Sequence, residues 1–207
     1  MILSFAKNAI GLLFILSLWA GCSSGSGETA KKDDIDQIRK NEEENSVARG
    51  GYLVLAAGCN DCHSPKIMTA QGPIPDTTRI LSGHPANMPT PAFYKEALSP
   101  GNWVQMGPDL TTFVGPWGIS YAANLTPDTA TGIGAWTEEV FIRALKTGKH
   151  MGQQNGRPIL PPMPWNAMSR IKDDDLKAIY AYLRSLPGIN NRVPQPLSPP
   201  DAQKLAK

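Results

Sequence analysis

Cys59-Asn60-Asp61-Cys62-His63 is the stretch of this 207-residue chain that decides its fold. Cysteines at this spacing lie on one face of a helical turn, so both thiols can reach one planar group. The C-x-x-C-H pattern is typical of covalent attachment of a c-type haem, whose two vinyl groups take the thiols. The imidazole of His63 follows at once and is predicted to be the proximal iron ligand. The stretch therefore predicts one covalently bound haem c.

Other uses of the cysteine pair fit the sequence less well. The chain has three cysteines, the third being Cys22, and only His84 and His150 lie outside the motif as further histidines. A zinc site needs about four Cys or His ligands at compatible spacing. A thioredoxin-like site would need a βαβ pattern around the pair, and a disulfide closing so small a loop would stabilise little. Haem attachment remains the best interpretation.

Residues 1–22 are predicted to be an export signal. Lys7 precedes an apolar run from Ala9 to Ala20 that only Ser17 interrupts. As a helix these residues would rise about 18 Å, too short for a bilayer core of about 30 Å. The run ends in Ala-Gly-Cys at Cys22, which resembles a bacterial lipoprotein processing site. We expect lipidation of Cys22 and an anchor on the periplasmic side of a membrane; an ordinary secretory signal is the alternative.

The mature chain divides by composition into three parts. Residues 23–46 have eleven charged residues and no aromatic one, which predicts a flexible tether. Residues 47–190 suit one domain with a single core. Residues 191–207 form a proline-rich tail that we expect to be extended. The overall charge is close to balanced, so nothing indicates a nucleic-acid partner.

Three helices are predicted within the domain. The first runs from about Ser46 to Ala57. The second follows Trp136, with Thr137 as N-cap and Gly148 just after its end. The third begins at Asp173 and stops before Pro187, and its apolar residues recur at helical spacing: Leu176, Ile179, Tyr180 and Leu183.

The segment between Ser64 and Ala135 contains ten prolines and eight glycines. Prolines at that density interrupt both helices and sheet ladders. The segment is expected to be a long irregular region that wraps the haem, since the porphyrin can supply the apolar surface on which such loops pack. The predicted fold is therefore all-α, with about three main helices and long loops around one haem.

Met163 is the strongest candidate for the second iron ligand. Haem iron in electron carriers commonly takes His and Met, and the prolines around Met163 restrict its backbone. His150 and Met151 are the main rivals. Weaker alternatives are His84, which the Gly/Pro-rich loop predicts to be exposed, and two further methionines: Met88 and Met168.

Several stretches beyond the haem motif resemble the class I cytochrome c family, in particular bacterial domains in cytochrome subunits of periplasmic dehydrogenases. Together they cover most of residues 47–187: Arg49-Gly50-Gly51-Tyr52-Leu53-Val54, Asn124-Leu125-Thr126-Pro127-Asp128, Gly132-Ile133-Gly134-Ala135-Trp136, Pro161-Pro162-Met163-Pro164-Trp165, and the segment from Asp175 to Arg184.

The resemblance implies His63 and Met163 as axial ligands and an N-terminal helix that crosses the C-terminal one. At the crossing Gly50 would allow close approach to Tyr180 or Tyr182. Members of the family usually support the proximal imidazole with a proline carbonyl. Three prolines follow a glycine and remain open as candidates: Pro73, Pro108 and Pro116.

The predicted function is that of a monohaem c-type cytochrome, an electron-transfer protein rather than an enzyme, which carries single electrons outside the cytoplasm. Its expected partners are redox proteins (a dehydrogenase, an oxidase or another cytochrome) and a membrane reached through the lipid anchor. One alternative is the cytochrome subunit of a periplasmic dehydrogenase or oxidase complex. Another is a gas-binding or peroxidatic haem protein, in which Met163 would not bind the iron.

Overall fold

The computed structural model describes residues 26–207, and side chains from Lys31 onward. Residues 40–207 form one compact unit, and the described residues before Lys40 belong to a separate one. The described helices are α1 (Ser26–Ala56), α2 (Cys59–His63), α3 (Glu138–Thr147), α4 (Trp165–Met168), α5 (Asp173–Ser185) and α6 (Pro199–Gln203). The described strands are β1 (Lys66–Thr69), β2 (Gly72–Pro75), β3 (Gln105–Met106), β4 (Thr112–Gly115) and β5 (Gly118–Tyr121).

Helix α1 begins at Ser26, well before the predicted start at Ser46. The segment predicted to be a tether, residues 23–46, is therefore helical from Ser26 onward. Low hydrophobicity excludes a buried core, but it does not exclude a helix in a segment that lacks proline and contains several Glu and Lys residues. Opposite charges at helical spacing, such as Lys40 and Glu44 at 4.0 Å, support the exposed helix weakly.

Within the compact unit of residues 40–207, the end of α1 lies directly against α5. A side chain at Gly50 would overlap the carbonyl oxygen of Ala178 and Cβ of Tyr182, so glycine is required for the contact. Arg49 adds an ion pair to Asp175 at 3.1 Å across the same crossing. The expected close approach at Gly50 is confirmed, with Tyr182 as the aromatic neighbour.

Helices α3 and α5 lie where the sequence predicts them. The hydroxyl of Thr137 accepts a hydrogen bond from the Val140 backbone N–H at 3.3 Å, and Gly148 ends α3 in the left-handed conformation. The two helices bury their apolar stripes in a core formed by Val54, Leu81, Ile133, Phe141, Leu176, Ile179 and Leu183.

The all-α description is incomplete, because the proline-rich region contains two small antiparallel sheets. Strands β1 and β2 form a hairpin directly after the haem motif, with Ile67 opposite Ile74. Strands β3, β4 and β5 form a second sheet in that order. The strands are two to four residues long and are separated by Gly and Pro, so no run is long enough to show alternation in the sequence.

The C-terminal segment, predicted to be an extended tail over residues 191–207, contains helix α6 and belongs to the compact unit of residues 40–207. Leu197 exchanges two backbone hydrogen bonds with Ile119 of β5, each 3.0 Å long. Ala202 of α6 is fully buried in a second apolar cluster with Phe93, Ala97, Val114 and Ile119. Burial of these residues explains why a segment rich in proline is nevertheless ordered. Among residues 26–207, no helix has the length and apolar character needed to span a membrane.

Candidate haem-attachment site

The cysteine pair lies on the single short helix α2. Gly58 precedes it in the left-handed conformation, with φ of 68°, and turns the chain from α1 into α2. Cys59 and Cys62 are both free thiols and both half-buried. Burial raises the pKa of each thiol, and the carboxylate of Asp61 raises it further. The two sulfur atoms are thus available on one short helix, as the motif predicts.

The proximal imidazole is held from behind by a main-chain carbonyl. His63 Nδ1 lies 2.8 Å from the carbonyl oxygen of Ala123. A carbonyl oxygen can only accept, so Nδ1 carries the proton and Nε2 carries the free lone pair. Among the residues whose side chains are described, Nε2 has no hydrogen-bond partner and remains available as a metal ligand.

This contact corrects the expectation of a proline carbonyl behind His63. Pro73, Pro108 and Pro116 do not provide the acceptor, because the residue that does is Ala123. Burial lowers the pKa of His63, although the Ala123 carbonyl opposes the shift. A lowered pKa keeps the imidazole neutral at pH 7, which is the form that binds metals.

Lys66 is a residue of the site that motif reasoning missed. Its ammonium group donates to the carbonyl oxygens of Asn60 at 3.3 Å and Asp61 at 2.9 Å, and also to that of Ser64. Carbonyls at the end of a helix lack intrahelical partners, and a lysine there can satisfy them. Lys66 therefore holds the chain that carries Cys62 and His63. No sequence pattern would have indicated this role, since the residue lies on the first strand after the motif.

Met163 lies half-buried on the loop before α4. The loop is fastened at two points: the Pro161 carbonyl accepts a hydrogen bond of 2.6 Å from Ser120 Oγ, and the indole of Trp165 lies against Gly148. Ser120 Oγ also accepts from the indole N–H of Trp117 at 3.1 Å. Ser120 is in β5, which continues directly to Ala123. The same chain segment therefore supports both His63 and the Met163 loop.

The structure corrects the expectation that His84 is exposed. Its side chain is fully buried, and both ring nitrogens have protein partners. Nδ1 is 2.7 Å from the Thr111 hydroxyl and 3.0 Å from that of Thr112, and Nε2 donates to the Met88 carbonyl at 3.3 Å. An imidazole with both nitrogens engaged is a structural residue rather than an iron ligand.

Further candidates for the second iron ligand lie on or next to short helical turns after α3. His150 is half-buried with its ring edge-on to Trp136, the ring centres being 5.6 Å apart. Burial lowers its pKa, and the charge of Arg157 lowers it further. Met151, next to it, has a positive φ of 56° in a short 3₁₀ turn. Met168 ends α4. Cys22, the predicted lipidation residue, lies outside the described residues.

The described residues fit a covalently attached haem on the chemistry of their donor set. Two free thiols stand at the required spacing, and the next residue presents Nε2 while its other nitrogen is held by Ala123. A hydrogen bond to the outer nitrogen is what metal-binding histidines usually have, because it fixes both tautomer and ring orientation.

Comparison with known proteins finds one matching family model and several similar cytochrome subunits. The cytochrome c family model matches residues 47–187. The fructose dehydrogenase cytochrome subunit of Gluconobacter japonicus is 30% identical over 138 residues, which are 67% of this chain and 21% of that protein. The gluconate 2-dehydrogenase cytochrome c subunit of Pantoea cypripedii is 30% identical over 136 residues, 66% of this chain and 22% of that protein.

A shorter match is to a subunit of the nicotinate dehydrogenase of Pseudomonas putida, 38% identical over 79 residues, which are 38% of this chain and 6% of that protein. The chain thus spans about a fifth or less of the length of these relatives. The family match covers most of the chain and includes the haem motif, whose cofactor is covalently bound haem c. The chain therefore belongs to the cytochrome c family.

Proposed function

We propose that this protein carries single electrons through one haem attached at Cys59 and Cys62, with His63 and Met163 as the axial ligands. The bound haem supplies the Fe(III)/Fe(II) couple. The protein's own contribution is to present Nε2 of His63, to hold the Met163 thioether, and to keep both fixed in the two oxidation states. Rigid ligands limit the rearrangement that accompanies electron transfer.

The observation that carries this proposal is the hydrogen bond from His63 Nδ1 to the Ala123 carbonyl, which leaves Nε2 free for iron. The support for Met163 is less direct. Its loop is bonded through Pro161 to Ser120, on the chain segment that continues to Ala123. His84, a rival ligand, has both ring nitrogens occupied. A thioether ligand also favours Fe(II), which suits an acceptor of electrons.

The partner is proposed to be a dehydrogenase outside the cytoplasm. This rests on the relatives, which are named as cytochrome subunits of fructose, gluconate and alcohol dehydrogenases. The protein would take electrons from such an enzyme, either as its subunit or as a separate carrier. Purification of tagged protein from its own cells separates the two: a subunit brings a large dehydrogenase chain with it in fixed ratio, and a free carrier does not.

We further propose that residues 1–22 direct export and that Cys22 becomes acylated. The support is the Ala-Gly-Cys sequence after an apolar run. Mass spectrometry of the mature N-terminal peptide tests this. Diacyl or triacyl modification of Cys22 is expected, and Cys22→Ser should release the protein from membranes; an unmodified N-terminus elsewhere would contradict the anchor.

The ligand assignment is tested by near-infrared absorption of the haem-loaded ferric protein. We expect a sulfur-to-iron charge-transfer band that is lost in Met163→Ala. Met168→Ala, which removes a half-buried methionine a few residues along the chain, is the matched control and should keep the band. A band that survives Met163→Ala, or that the unsubstituted protein lacks, would contradict Met163 ligation.

A further inference from the structure

We infer that Asn191 is a positioning residue for the proximal ligand, acting with Asn124 to fix the main-chain carbonyl behind His63. The inference rests on the proposed function, in which His63 binds the haem iron. Asn191 lies beyond residues 47–187 matched by the family model, in the segment that the sequence predicted to be a proline-rich extended tail. Its side chain is 3% exposed, so it is an interior residue of the haem domain.

The side chain of Asn191 uses its hydrogen-bonding groups on one loop. Nδ2 donates to the carbonyl oxygens of Ser82 at 2.7 Å and His84 at 2.9 Å. Oδ1 accepts from the Ala86 backbone N–H at 2.9 Å and from the Arg79 guanidinium at 3.3 Å. An amide with two donors and two acceptor sites engaged in a buried setting fixes the loop strongly, since any displacement leaves polar groups unpaired.

The loop that Asn191 holds lies against the backbone of the haem motif. Gly83 N–H donates to the His63 carbonyl at 2.7 Å, and His84 N–H donates to the Ala122 carbonyl at 2.9 Å. Gly83 has a φ of 75°, and a side chain there would overlap the backbone of Ala122 and Ala123. The loop therefore contacts His63 on one side and the residues that carry its hydrogen-bond acceptor on the other.

Asn124 completes the arrangement from the acceptor's side. It follows Ala123 directly, and its Nδ2 donates to the Ile189 carbonyl at 2.8 Å. Its Oδ1 accepts from the Thr126 backbone N–H at 3.0 Å and from the Thr126 hydroxyl at 2.7 Å. Residues 189–191 thus connect the loop that binds the His63 backbone with the residue next to the carbonyl that binds the His63 ring.

Loosening this connection should weaken the bond from His63 Nδ1 to Ala123. A hydrogen bond to the outer nitrogen makes the imidazole a more basic ligand and favours Fe(III). Weakening it should raise the reduction potential and speed solvent exchange of the Nδ1 proton. A residue that only stabilised the fold could also speed the exchange, by making opening easier, but it would leave the reduction potential of the folded protein unchanged.

The experiment compares three haem-loaded proteins: the unsubstituted protein, Asn191→Asp and Asn191→Ala. The Asn191 side chain can donate two hydrogen bonds, a protonated Asp can donate one, and Ala can donate none. The readouts are the exchange rate of the His63 Nδ1 proton, by NMR of the diamagnetic ferrous state, and the reduction potential. Asn190→Ala is the matched control, because Asn190 is the exposed neighbour in the same segment.

We expect exchange to accelerate along the series, by about tenfold in total, because a buried hydrogen-bonded group limits local opening. The potential should rise in the same order, and Asn190→Ala should match the unsubstituted protein. If Asn191→Ala cannot hold haem, the comparison with Asn191→Asp decides the matter. Unchanged exchange and potential in Asn191→Asp, or equal changes in Asn190→Ala, would overturn the inference.

Failure of the proposed function has a different signature. If His63 does not bind the iron, the unsubstituted ferric protein will show no paramagnetically shifted His63 ring signals, whatever residue stands at position 191. Shifted His63 signals together with a flat series would instead leave the ligand assignment intact and remove only the role of Asn191.

Discussion

His63 and Ala123 are joined by a hydrogen bond of 2.8 Å from ring Nδ1 to the backbone carbonyl oxygen. The bond connects the haem motif to the segment after β5, sixty residues further along the chain. It fixes the ring by its outer nitrogen and leaves Nε2 for iron. The same segment holds the loop of Met163 through Ser120 and Pro161. One short stretch of chain therefore supports both proposed iron ligands, through the Ser120 side chain and the Ala123 carbonyl.

Ser120→Ala should loosen the Met163 loop without touching the haem motif. The substitution removes the hydrogen bond to the Pro161 carbonyl, and with it the acceptor for Trp117. A lost hydrogen bond of about 1 kcal/mol should speed displacement of Met163 by imidazole roughly fivefold. Stopped-flow absorption of the ferric protein measures that rate.

Ser185→Ala is the control for Ser120→Ala, because the Ser185 hydroxyl donates only to the Tyr182 carbonyl within α5. It should leave the displacement rate unchanged. Equal rates in the two variants would show that the contact between Ser120 and Pro161 does not hold the ligand loop.

Lys66→Met should destabilise the haem-loaded domain by about 1–3 kcal/mol, because three carbonyl oxygens around the haem motif lose a charged donor. Urea unfolding followed by haem absorption measures the change. Lys177→Met is the control, since Lys177 is an exposed lysine of α5 that pairs with the exposed Asp174. If the two variants unfold at the same urea concentration, Lys66 does not stabilise the motif.

Gly50→Ala should destabilise the domain by about 1–3 kcal/mol. The added methyl group would overlap the backbone of Ala178, which cannot move aside as a flexible side chain can. Gly51→Ala is a matched control on the same helix. Its methyl group would meet only the ring of Tyr182, a side chain that can shift. Thermal unfolding of both variants gives the comparison, and a smaller loss for Gly50→Ala than for Gly51→Ala would contradict the packing described.

Because His84 is buried, we expect the folded domain to lose stability in acid. Burial lowers the pKa of His84 in the folded state, although the Met88 carbonyl and the Asp109 carboxylate oppose the shift. The unfolded chain therefore takes up a proton first, below its ordinary pKa of about 6.5. The stability due to neutral His84 is fully present above that pH and declines as the pH falls towards the folded-state value.

Chemical denaturation between about pH 7.5 and 5 tests this relation, at values chosen on either side of about 6.5. His84→Gln should be less stable at every pH, because the contacts with the Thr111 and Thr112 hydroxyls change. Its free energy of unfolding should, however, fall less steeply as the pH falls. His150→Gln serves as the comparison for a half-buried histidine. If the free energy of unfolding of His84→Gln falls with pH as steeply as that of the unsubstituted protein, His84 is not the source of the acid sensitivity.

Local signals in the sequence predicted part of this structure. The cap of Thr137 on α3 and the acidic first turn of α5 follow from residue types that are favoured at helix ends, and both lie where the sequence predicts them. The close approach at Gly50 was implied by the family resemblance rather than by a local signal.

Features that depend on main-chain atoms or on distant contacts could not be predicted in this way. The acceptor for His63 is a backbone carbonyl, which every residue has. The sequence therefore does not show that the acceptor belongs to Ala123 rather than to one of the candidate prolines. His84 is buried by Thr111 and Tyr121, which are remote in sequence. The C-terminal segment has the composition of a tail because its few apolar residues, such as Leu197, are recognisable as core only when β5 is next to them.

The most direct test of the central claim is an optical redox titration of the haem-loaded protein, in the absence and presence of carbon monoxide. We expect a six-coordinate low-spin spectrum in both oxidation states and a one-electron transition, with a slope of about 59 mV per tenfold change in the ratio of the two forms. We also expect no prompt carbon monoxide adduct of the ferrous form. A high-spin spectrum or immediate carbon monoxide binding would contradict ligation by both His63 and Met163, and would favour a gas-binding or peroxidatic haem protein instead.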